Sequence, residues 1–432
     1  MTNARDIVLS ILLDIEGNNT FSNIAIAKAL KKHQFEAKKE RAFITRLAEG
    51  VTETKIKLDY IIDSFSKTPS EKCKPLIRSL LRMGVYQIMY MDAVPDSAVC
   101  NEAVKLAKKH NFGSLGGFVN GVLRAVARNK DNITFPDKEN MSAYLSVNYS
   151  MPEWLCKKIM EDYGNQSEKI IAASFEERKT TLRVNTLKIT REKLKEYIKV
   201  ENEKRRNNKA DNCVADIVLE DGFYDENALL VSGYDFIRSM PGYRQGLFFI
   251  QDESSMCAIK AAGIKPYQTV VDVCAAPGGK TLNAACYMEG KGSLYARDIS
   301  EEKLSLIEEN VQRLDMQNII SMEIWDAKKV DERLTEKADM VIADLPCSGL
   351  GIMGRKNDIK YRITKEQLDA LIKLQRDILS SVKQYVKRGG VLLQLMLECF
   401  CMAALAFPAA ALLAAVLMTP LGSDGSRFSR SN

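Results

Sequence analysis

The chain has 432 residues, enough for two or three domains, and its hydrophobic content of 46% suits ordinary buried cores. A net charge of +6, from 62 basic and 56 acidic residues, permits nucleic-acid binding without demonstrating it. Only His33 and His110 exist, which disfavours histidine triads and histidine-rich metal sites in the C-terminal part. Ten cysteines without a C-x-x-C pair favour reduced thiols in a cytoplasmic protein and no metal. The first residues lead into an amphipathic helix, so no signal peptide is expected.

Apolar periodicity predicts an all-helical domain over residues 1–130. Residues 131–150 are interpreted as a linker, since they carry turn-forming residues around Pro136. Residues 151–245 have a mixed pattern, with a Lys/Glu-rich helix at 190–206 between two strand-like segments, and predict a small α+β subdomain. Two local basic clusters occur, and without other evidence each is better interpreted as a solvated face than as an RNA contact: Lys28, Lys31, Lys32, Lys38, Lys39 and Arg41, and then Lys204, Arg205, Arg206 and Lys209.

Residues 246–393 alternate regularly between strand and helix patterns. Strands are predicted at 269–275, 293–298, 319–325 and 339–344, and a long helix at 365–387. This alternation is typical of an α/β, Rossmann-like domain with a mostly parallel sheet covered on both faces.

The most informative segment is the turn that follows the first of these strands. An apolar run ends in a glycine-bearing turn and continues into a helix start, and its central residues are Cys274, Ala275, Ala276, Pro277, Gly278, Gly279 and Lys280. Such a turn exposes backbone N–H groups to a ligand. The three-glycine spacing of a dinucleotide site is absent, which disfavours a dehydrogenase and favours a ligand without a diphosphate.

Acidic residues end the following strands. Asp298 lies about 20 residues after the turn, where a carboxylate accepts hydrogen bonds from ribose hydroxyls. Asp326 and Asp344 end the next two strands, and Cys347 follows Pro346 three residues later. Because ligands of α/β sheets bind at the carboxyl ends of strands, these side chains predict one pocket, with Cys347 as a functional rather than a buried thiol.

These motifs resemble the RNA cytosine-5 methyltransferases of the Sun/RsmB type. The resemblance depends mainly on residues 273–281 and 344–351. Three further segments support it: Gln251–Ser255, Arg183–Asn185 and Pro152–Leu155. Residues 101–107 and 118–124 are similar to the antitermination factor NusB. The resemblance covers residues 1 to about 393 and points to bacterial enzymes that methylate small-subunit ribosomal RNA.

The resemblance implies S-adenosylmethionine as cofactor and ribosomal RNA as substrate. A monomer is expected, although nothing in the sequence determines the oligomeric state. Residues 274–280 would hold the methionine and ribose portions, Asp298 the ribose hydroxyls and Asp326 the adenine side. Asp344 would lie between cofactor and cytosine, and Cys347 would release the enzyme–RNA adduct. A thiolate that adds to carbon 6 of cytosine makes carbon 5 nucleophilic enough to accept a methyl group.

The chain departs from the family where the attacking cysteine is expected. After Gly389-Gly390, the next strand reads Gln394-Leu395-Met396-Leu397, so Leu397 occupies the position of the nucleophile. Cys399 and Cys401 come two and four residues late. Two residues along a strand move a sulfur by about 6–7 Å, which takes Cys399 out of reach of the ring.

Residues 394–432 form an atypical apolar tail, rich in Ala and Leu and free of lysine. A shifted reading frame or chimeric end accounts best for the change of composition in the middle of a motif. A membrane segment is the competing interpretation, because Cys399 to Met418 is uncharged and long enough to span a bilayer. Pro408 interrupts that stretch and disfavours the second interpretation.

Two functions therefore compete. The first is a ribosomal RNA cytosine-5 methyltransferase whose activity is impaired by Leu397. The second is a non-catalytic RNA-binding protein that keeps a remnant of the cofactor site. The intact turn at residues 274–280 and Cys347 favour the first function, and the missing nucleophile favours the second.

Overall fold

The structure is a computed structural model that describes residues 3–33, 37–176, 179–207, 216–354, 356–395 and 416–420. The chain divides into two compact units. The first unit contains residues 1–176 and 349–363, and the second contains residues 177–348 and 364–432.

The first unit begins with a helical domain. Its helices are α1 (Ala4–Gly17), α2 (Ser22–Lys32), α3 (Lys38–Glu53), α4 (Lys55–Phe65), α5 (Pro75–Tyr90), α6 (Asp96–Lys109) and α7 (Gly116–Asn129). Each helix has an apolar face at helical spacing, and on α4 the residues Leu58, Ile61 and Ile62 are fully buried. Leu47 of α3 and Leu81 of α5 lie in the same core, which confirms the all-helical prediction.

Three more helices follow in the first unit: α8 (Met141–Asn148), α9 (Glu153–Tyr163) and α10 (Ser167–Ala173). Helix α8 lies within the stretch that the sequence interpreted as a linker. Asn140 caps it by accepting a hydrogen bond from the Ala143 N–H at 3.2 Å, and Leu145 is fully buried. Because a packed helix occupies residues 141–148, this part of the stretch is a folded element of the unit.

The second unit begins with a four-stranded antiparallel sheet in the order β2-β3-β1-β4. Its elements are β1 (Thr180–Val184), α11 (Arg191–Asn207), β2 (Val218–Asp221), β3 (Ala228–Ser232) and β4 (Phe248–Ile250). The predicted helix at 190–206 is therefore confirmed. A buried ion pair joins β1 to the β2–β3 loop, with Arg183 Nη1 2.7 Å from Asp225 Oδ1.

A six-stranded sheet in the order β10-β9-β8-β5-β6-β7 forms the rest of the second unit. Its strands are β5 (Thr269–Asp272), β6 (Ser293–Asp298), β7 (Ile320–Ile324), β8 (Ala338–Asp344), β9 (Val386–Leu395) and β10 (Val416–Pro420). The first five of these are parallel, as predicted, and β10 pairs antiparallel with β9. Val270, Val271, Val341 and Ile342 are fully buried, as expected for strands covered on both faces.

Helices α12 (Glu253–Ala261), α13 (Gly279–Tyr287), α14 (Glu301–Leu314) and α16 (Lys365–Val382) connect the strands. The short helix α15 (Ile359–Arg362) lies in the return from β8 to α16 but belongs to the first unit. Among the described residues, no helix is both long and apolar enough to cross a membrane.

Candidate active site

The topology places the predicted site residues at one edge of the parallel sheet. Strand β5 lies between β8 and β6, so the chain leaves it in opposite directions on either side. A crevice forms at such a switch point, outside the carboxyl ends of the strands. The residues that end β5, β6 and β8 are Asp272, Asp298 and Asp344. The sheet thus brings the glycine turn and two of the predicted acidic residues to one edge.

The glycine turn is held in shape by backbone geometry. Gly278 has φ of +105°, a conformation that is strained for residues with a side chain, and it is the N-cap of α13. Its N–H donates to the Ala275 carbonyl at 2.7 Å, and the Ala275 N–H donates to the Arg297 carbonyl at 2.8 Å. No side chain caps α13 within the described structure, so its first N–H groups suit an anionic group such as a carboxylate.

Asp298 braces this turn. The carboxylate is 4% exposed, and its Oδ2 accepts from the Ala276 N–H at 3.0 Å. Its Oδ1 accepts from the Ile299 N–H at 2.8 Å and lies 3.0 Å from Lys303 Nζ. Oδ2 has one partner and therefore a further lone pair, so Asp298 can hold the turn and still accept a hydrogen bond from a ligand.

Lys280 and Asp344 form an ion pair between the start of α13 and the end of β8. Their side chains are 14% and 23% exposed, which places the pair at the rim of the crevice. The pair joins two of the predicted residues directly, and it orients the Asp344 carboxylate.

The two cysteines of the site have different environments. Burial raises the pKa of the Cys274 thiol to about 12, and the charges of Asp272 and Asp298 act in the same direction. Cys274 therefore remains a thiol and is a poor nucleophile. Cys347 is half-buried in the loop after β8, and the preceding Pro346 carbonyl accepts a hydrogen bond from Gln375 Nε2 of α16 at 2.9 Å.

Asp326 lies beyond the end of β7, two residues after Ile324. Its Oδ1 accepts from the Lys328 N–H at 3.0 Å, which closes a tight turn. Trp325 Nε1 donates to the Lys329 carbonyl at 2.8 Å in the same turn. This turn fixes the loop but leaves the Asp326 carboxylate partly exposed for a ligand.

Sequence reasoning missed three polar residues that support the site. Asp272 is 1% exposed and accepts from Thr281 Oγ1 at 2.6 Å, which ties β5 to α13. Burial raises the pKa of Asp272 to about 7, against the lowering effect of that hydrogen bond. Gln251 Nε2 donates to the Gly279 carbonyl at 3.0 Å, and Gln375 holds the Cys347 loop. Gln251 stands in a segment that carried the family resemblance, but no spacing indicates its contact.

The sequence position expected for the attacking cysteine comes directly after strand β9. Leu395, the last residue of β9, pairs with Asp344 of β8. Leu397 comes two residues later in the chain. Like Cys399 and Cys401, it lies outside the described residues. In the part of the chain that is described, no group of three or more His, Cys, Asp or Glu residues gathers to hold a metal ion.

Along the chain, a helical domain is followed by an antiparallel subdomain and then by a parallel α/β sheet with the glycine turn, and three family models identify this order as that of an RNA methyltransferase. The family model described as 16S rRNA methyltransferase RsmB/F matches residues 261–402. The NusB family matches residues 2–128, and the ferredoxin-like domain of RsmF/B-like methyltransferases matches residues 151–214.

The curated relatives narrow the class. A probable ribosomal RNA small subunit methyltransferase B of Bacillus subtilis (strain 168) is 36% identical over 394 residues, covering 90% of this chain and 84% of the relative. Its counterpart from Synechocystis sp. is 31% identical over 399 residues, covering 91% and 85%. The chain therefore belongs to the ribosomal RNA small subunit methyltransferase B family, which confirms the resemblance carried by the motifs.

Comparison with solved structures supports the same fold. The crystal structure of PH0851 superposes with a TM-score of 0.72 at 24% identity, covering 91% of this chain and 85% of that one. This likeness confirms the three-part fold.

Proposed function

We propose that this chain is a scaffold for S-adenosylmethionine-dependent methylation of carbon 5 of a cytosine in small-subunit ribosomal RNA, and that methyl transfer is impaired by Leu397. The observation that supports the proposal best is the ion pair between Lys280 of the glycine turn and Asp344 of the Cys347 loop. It connects the elements expected to hold the cofactor with those expected to meet the base.

The residues of the glycine turn fit the proposed cofactor. The uncapped N–H groups at the start of α13 suit the carboxylate of its methionine portion, and Asp298 Oδ2 has a further lone pair for a ribose hydroxyl. Asp326 would face the adenine side. When bound, the cofactor supplies an electrophilic methyl group.

Asp344 would accept a hydrogen bond from the cytosine and so orient the ring for the addition of a thiolate to carbon 6. After methyl transfer a base removes the proton from carbon 5, the carbon 6–sulfur bond breaks, and the thiolate leaves. Cys347 is assigned to this release step. Leu397 has no group that can form the carbon–sulfur bond, so the first step lacks its nucleophile.

Calorimetry tests the proposed cofactor site by measuring the affinity for S-adenosylmethionine. S-adenosylmethionine should bind the chain, and Asp298→Ala should weaken binding by about 1.5–3 kcal/mol, as for a hydrogen bond to a charged group. Asp369→Ala, on the exposed face of α16, is the matched control and should leave affinity unchanged. Preference for a nicotinamide dinucleotide would contradict the proposal.

The catalytic arm is tested by tritium transfer from labelled cofactor to unmodified small-subunit RNA. The unaltered chain should show little or no transfer, and Leu397→Cys should raise it, whereas the size-matched Leu397→Ser should not. Rapid turnover by the unaltered chain would refute the assignment of position 397.

The alternative is an RNA-binding protein that retains a remnant of the cofactor site, and Leu397 is the observation that favours it. RNA binding without methyl transfer in both the unaltered chain and Leu397→Cys would support this alternative. In either case, affinity for RNA should fall steeply with salt if phosphate contacts dominate.

A further inference from the structure

A polar cavity of about 180 Å³ lies inside the first unit. Side chains of α1, α3, α5 and α15 and of the first residue of α4 line it, and all of them belong to that unit. An engineered cavity of about 150 Å³ is large enough to hold benzene, so this one has room for a small ligand. The chemistry of its wall decides which kind of ligand it suits.

Asp358 lines the cavity, but its carboxylate is occupied by neighbouring groups. It accepts from the Ser22 N–H at 3.0 Å and from Ser22 Oγ at 2.8 Å. In this way it caps helix α2, whose N-cap residue Phe21 makes no side-chain capping bond. Arg362 Nε donates to Asp358 Oδ2 at 2.7 Å. The charge of this carboxylate is therefore compensated within the first unit.

The Glu16 carboxylate in the wall is also paired, since it forms an ion pair with Arg78. Arg82 lines the cavity as well and is 8% exposed. It binds Asp59 through two donors, Nε to Oδ1 and Nη2 to Oδ2, each at 2.7 Å. Its Nη1 lies 3.9 Å from Glu16 Oε2, which is beyond hydrogen-bond distance. Arg82 Nη1 is therefore available to a further acceptor.

Lys55, the first residue of α4, brings a positive charge to the same wall. Within the part of the chain that the structure describes, no carboxylate lies within ion-pair distance of its ammonium, and Nζ lies 5.3 Å from the centroid of the Tyr361 ring. Burial lowers the pKa of Lys55, and the charge of Arg82 acts in the same direction, against the more distant carboxylates of Asp59 and Glu16. A bound anion would counteract this lowering.

Ser79 of α5 adds a buried hydroxyl to the wall. Its side chain is 2% exposed, and the hydroxyl makes no hydrogen bond to any residue that the structure describes. Buried polar groups nearly always have a partner, so an unpartnered hydroxyl in a cavity wall indicates a ligand or a water molecule. An ammonium, a guanidinium nitrogen and a hydroxyl thus line one cavity, and each has a donor that the described protein atoms do not use.

We propose that this cavity binds a terminal phosphate group, held by Lys55, Ser79 and Arg82. Hydrogen bonds from lysine and arginine to phosphate oxygens are charge-assisted and among the strongest in proteins. Two of the three donor side chains are recessed, so the ligand must present its oxygens at an end. Inorganic phosphate and phosphate monoesters do so, whereas a phosphodiester within a nucleic-acid strand carries a substituent on each side. The site does not depend on methyl transfer, because all of its residues belong to the first unit.

Calorimetry on the full chain, at an ionic strength held constant with chloride, tests the proposal. Inorganic phosphate should bind the unaltered chain, and Lys55→Gln should weaken binding roughly ten- to hundredfold, as for a hydrogen bond to a charged group. Ser79→Ala should weaken it by roughly fivefold, as for a single neutral donor. Lys74→Gln, at an exposed position of the same unit, removes the same charge and should leave the affinity unchanged.

Two further ligands define the chemistry. Uridine monophosphate that binds more tightly than inorganic phosphate, with the same dependence on Lys55, would identify a nucleotide as the source of the phosphate; weaker binding would identify free phosphate. Dimethyl phosphate, a diester, should not compete. If circular dichroism shows that Lys55→Gln is unfolded, Ser79→Ala decides by the same criterion. Absence of phosphate binding, equal losses in Lys55→Gln and Lys74→Gln, or competition by the diester would overturn the proposal.

Discussion

Replacing Asp272 by asparagine should change how the stability of the second unit depends on pH. The carboxylate is 1% exposed at the end of β5, and burial raises its pKa from 3.8 to about 7. Asparagine has the same shape and keeps an oxygen that accepts from Thr281, but it does not ionise.

The sign follows from proton linkage. Well below pH 4 the Asp272 carboxyl is protonated and neutral in both the folded and the unfolded chain, so its ionisation does not affect the free energy of unfolding. Between pH 4 and about 7 the folded chain holds a proton that the unfolded chain has released, so the free energy of unfolding falls as pH rises. Each pH unit contributes about 1.36 kcal/mol, so the loss reaches about 4 kcal/mol above pH 7.

Asp272→Asn removes this loss. Relative to the unaltered chain, the variant should gain stability progressively from pH 4 to 7, by about 4 kcal/mol in total. The amide N–H₂ in a dry site adds a penalty of about 1–3 kcal/mol, but that penalty is the same at every pH. The quantity to measure is therefore the pH dependence of the difference in free energy of unfolding between Asp272→Asn and the unaltered chain.

Urea unfolding at a series of pH values supplies the measurement. The chain has two tryptophans, Trp154 in the first unit and Trp325 in the second. A Trp154→Phe background makes fluorescence report on the second unit alone. Asp369→Asn, at an exposed position, is the control and should give a constant difference. Parallel pH curves for Asp272→Asn and the unaltered chain would refute the reasoning.

Three other predictions concern stability. Gly278→Ala should lower the free energy of unfolding by about 1–3 kcal/mol in urea, because of its φ of +105°, whereas Gly279→Ala should have little effect; equal losses would contradict this. Asp225→Ala should cost about 3–5 kcal/mol in the same assay, because it leaves a buried arginine unpaired, and Asp216→Ala, in an exposed pair, should be neutral. Burial lowers the pKa of Lys360 from 10.5 to about 7, so the charged ammonium destabilises the folded chain below pH 7. Lys360→Met should therefore raise the free energy of unfolding by up to about 5 kcal/mol below pH 7, and thermal melts should show this gain fading towards pH 10.5. A gain that does not depend on pH would exclude this cause.

The parts of the molecule that rest on local pattern were predictable from sequence. The alternating apolar runs after residue 248 correspond to β5, β6, β7 and β8 to within three residues at each end, because buried parallel strands need continuous apolar segments. The glycine turn and the acidic strand ends were also predictable, since a parallel sheet collects its carboxyl ends at one edge.

Features that depend on distant partners were not predictable. Asp358 reads as an ordinary polar residue until Ser22 is placed beside it, and 336 residues separate the two. Gln375 has no signature beyond helix propensity, yet it holds the loop before Cys347. Helix α8 was missed because it is short and follows Pro136, and because its buried residues, Leu145, Ser146 and Val147, are consecutive and show no helical spacing.

The discontinuity of the first unit has a consequence during protein synthesis. The ribosome releases the N-terminal helices first, but the carboxylate that caps α2 is made 336 residues later. At translation rates of about 5–20 residues per second, the end of that helix waits roughly half a minute for its partner. The N-terminus of α2 therefore lacks this partner until most of the chain has emerged, and its capping follows the synthesis of β5 to β8 but precedes that of α16 and β9.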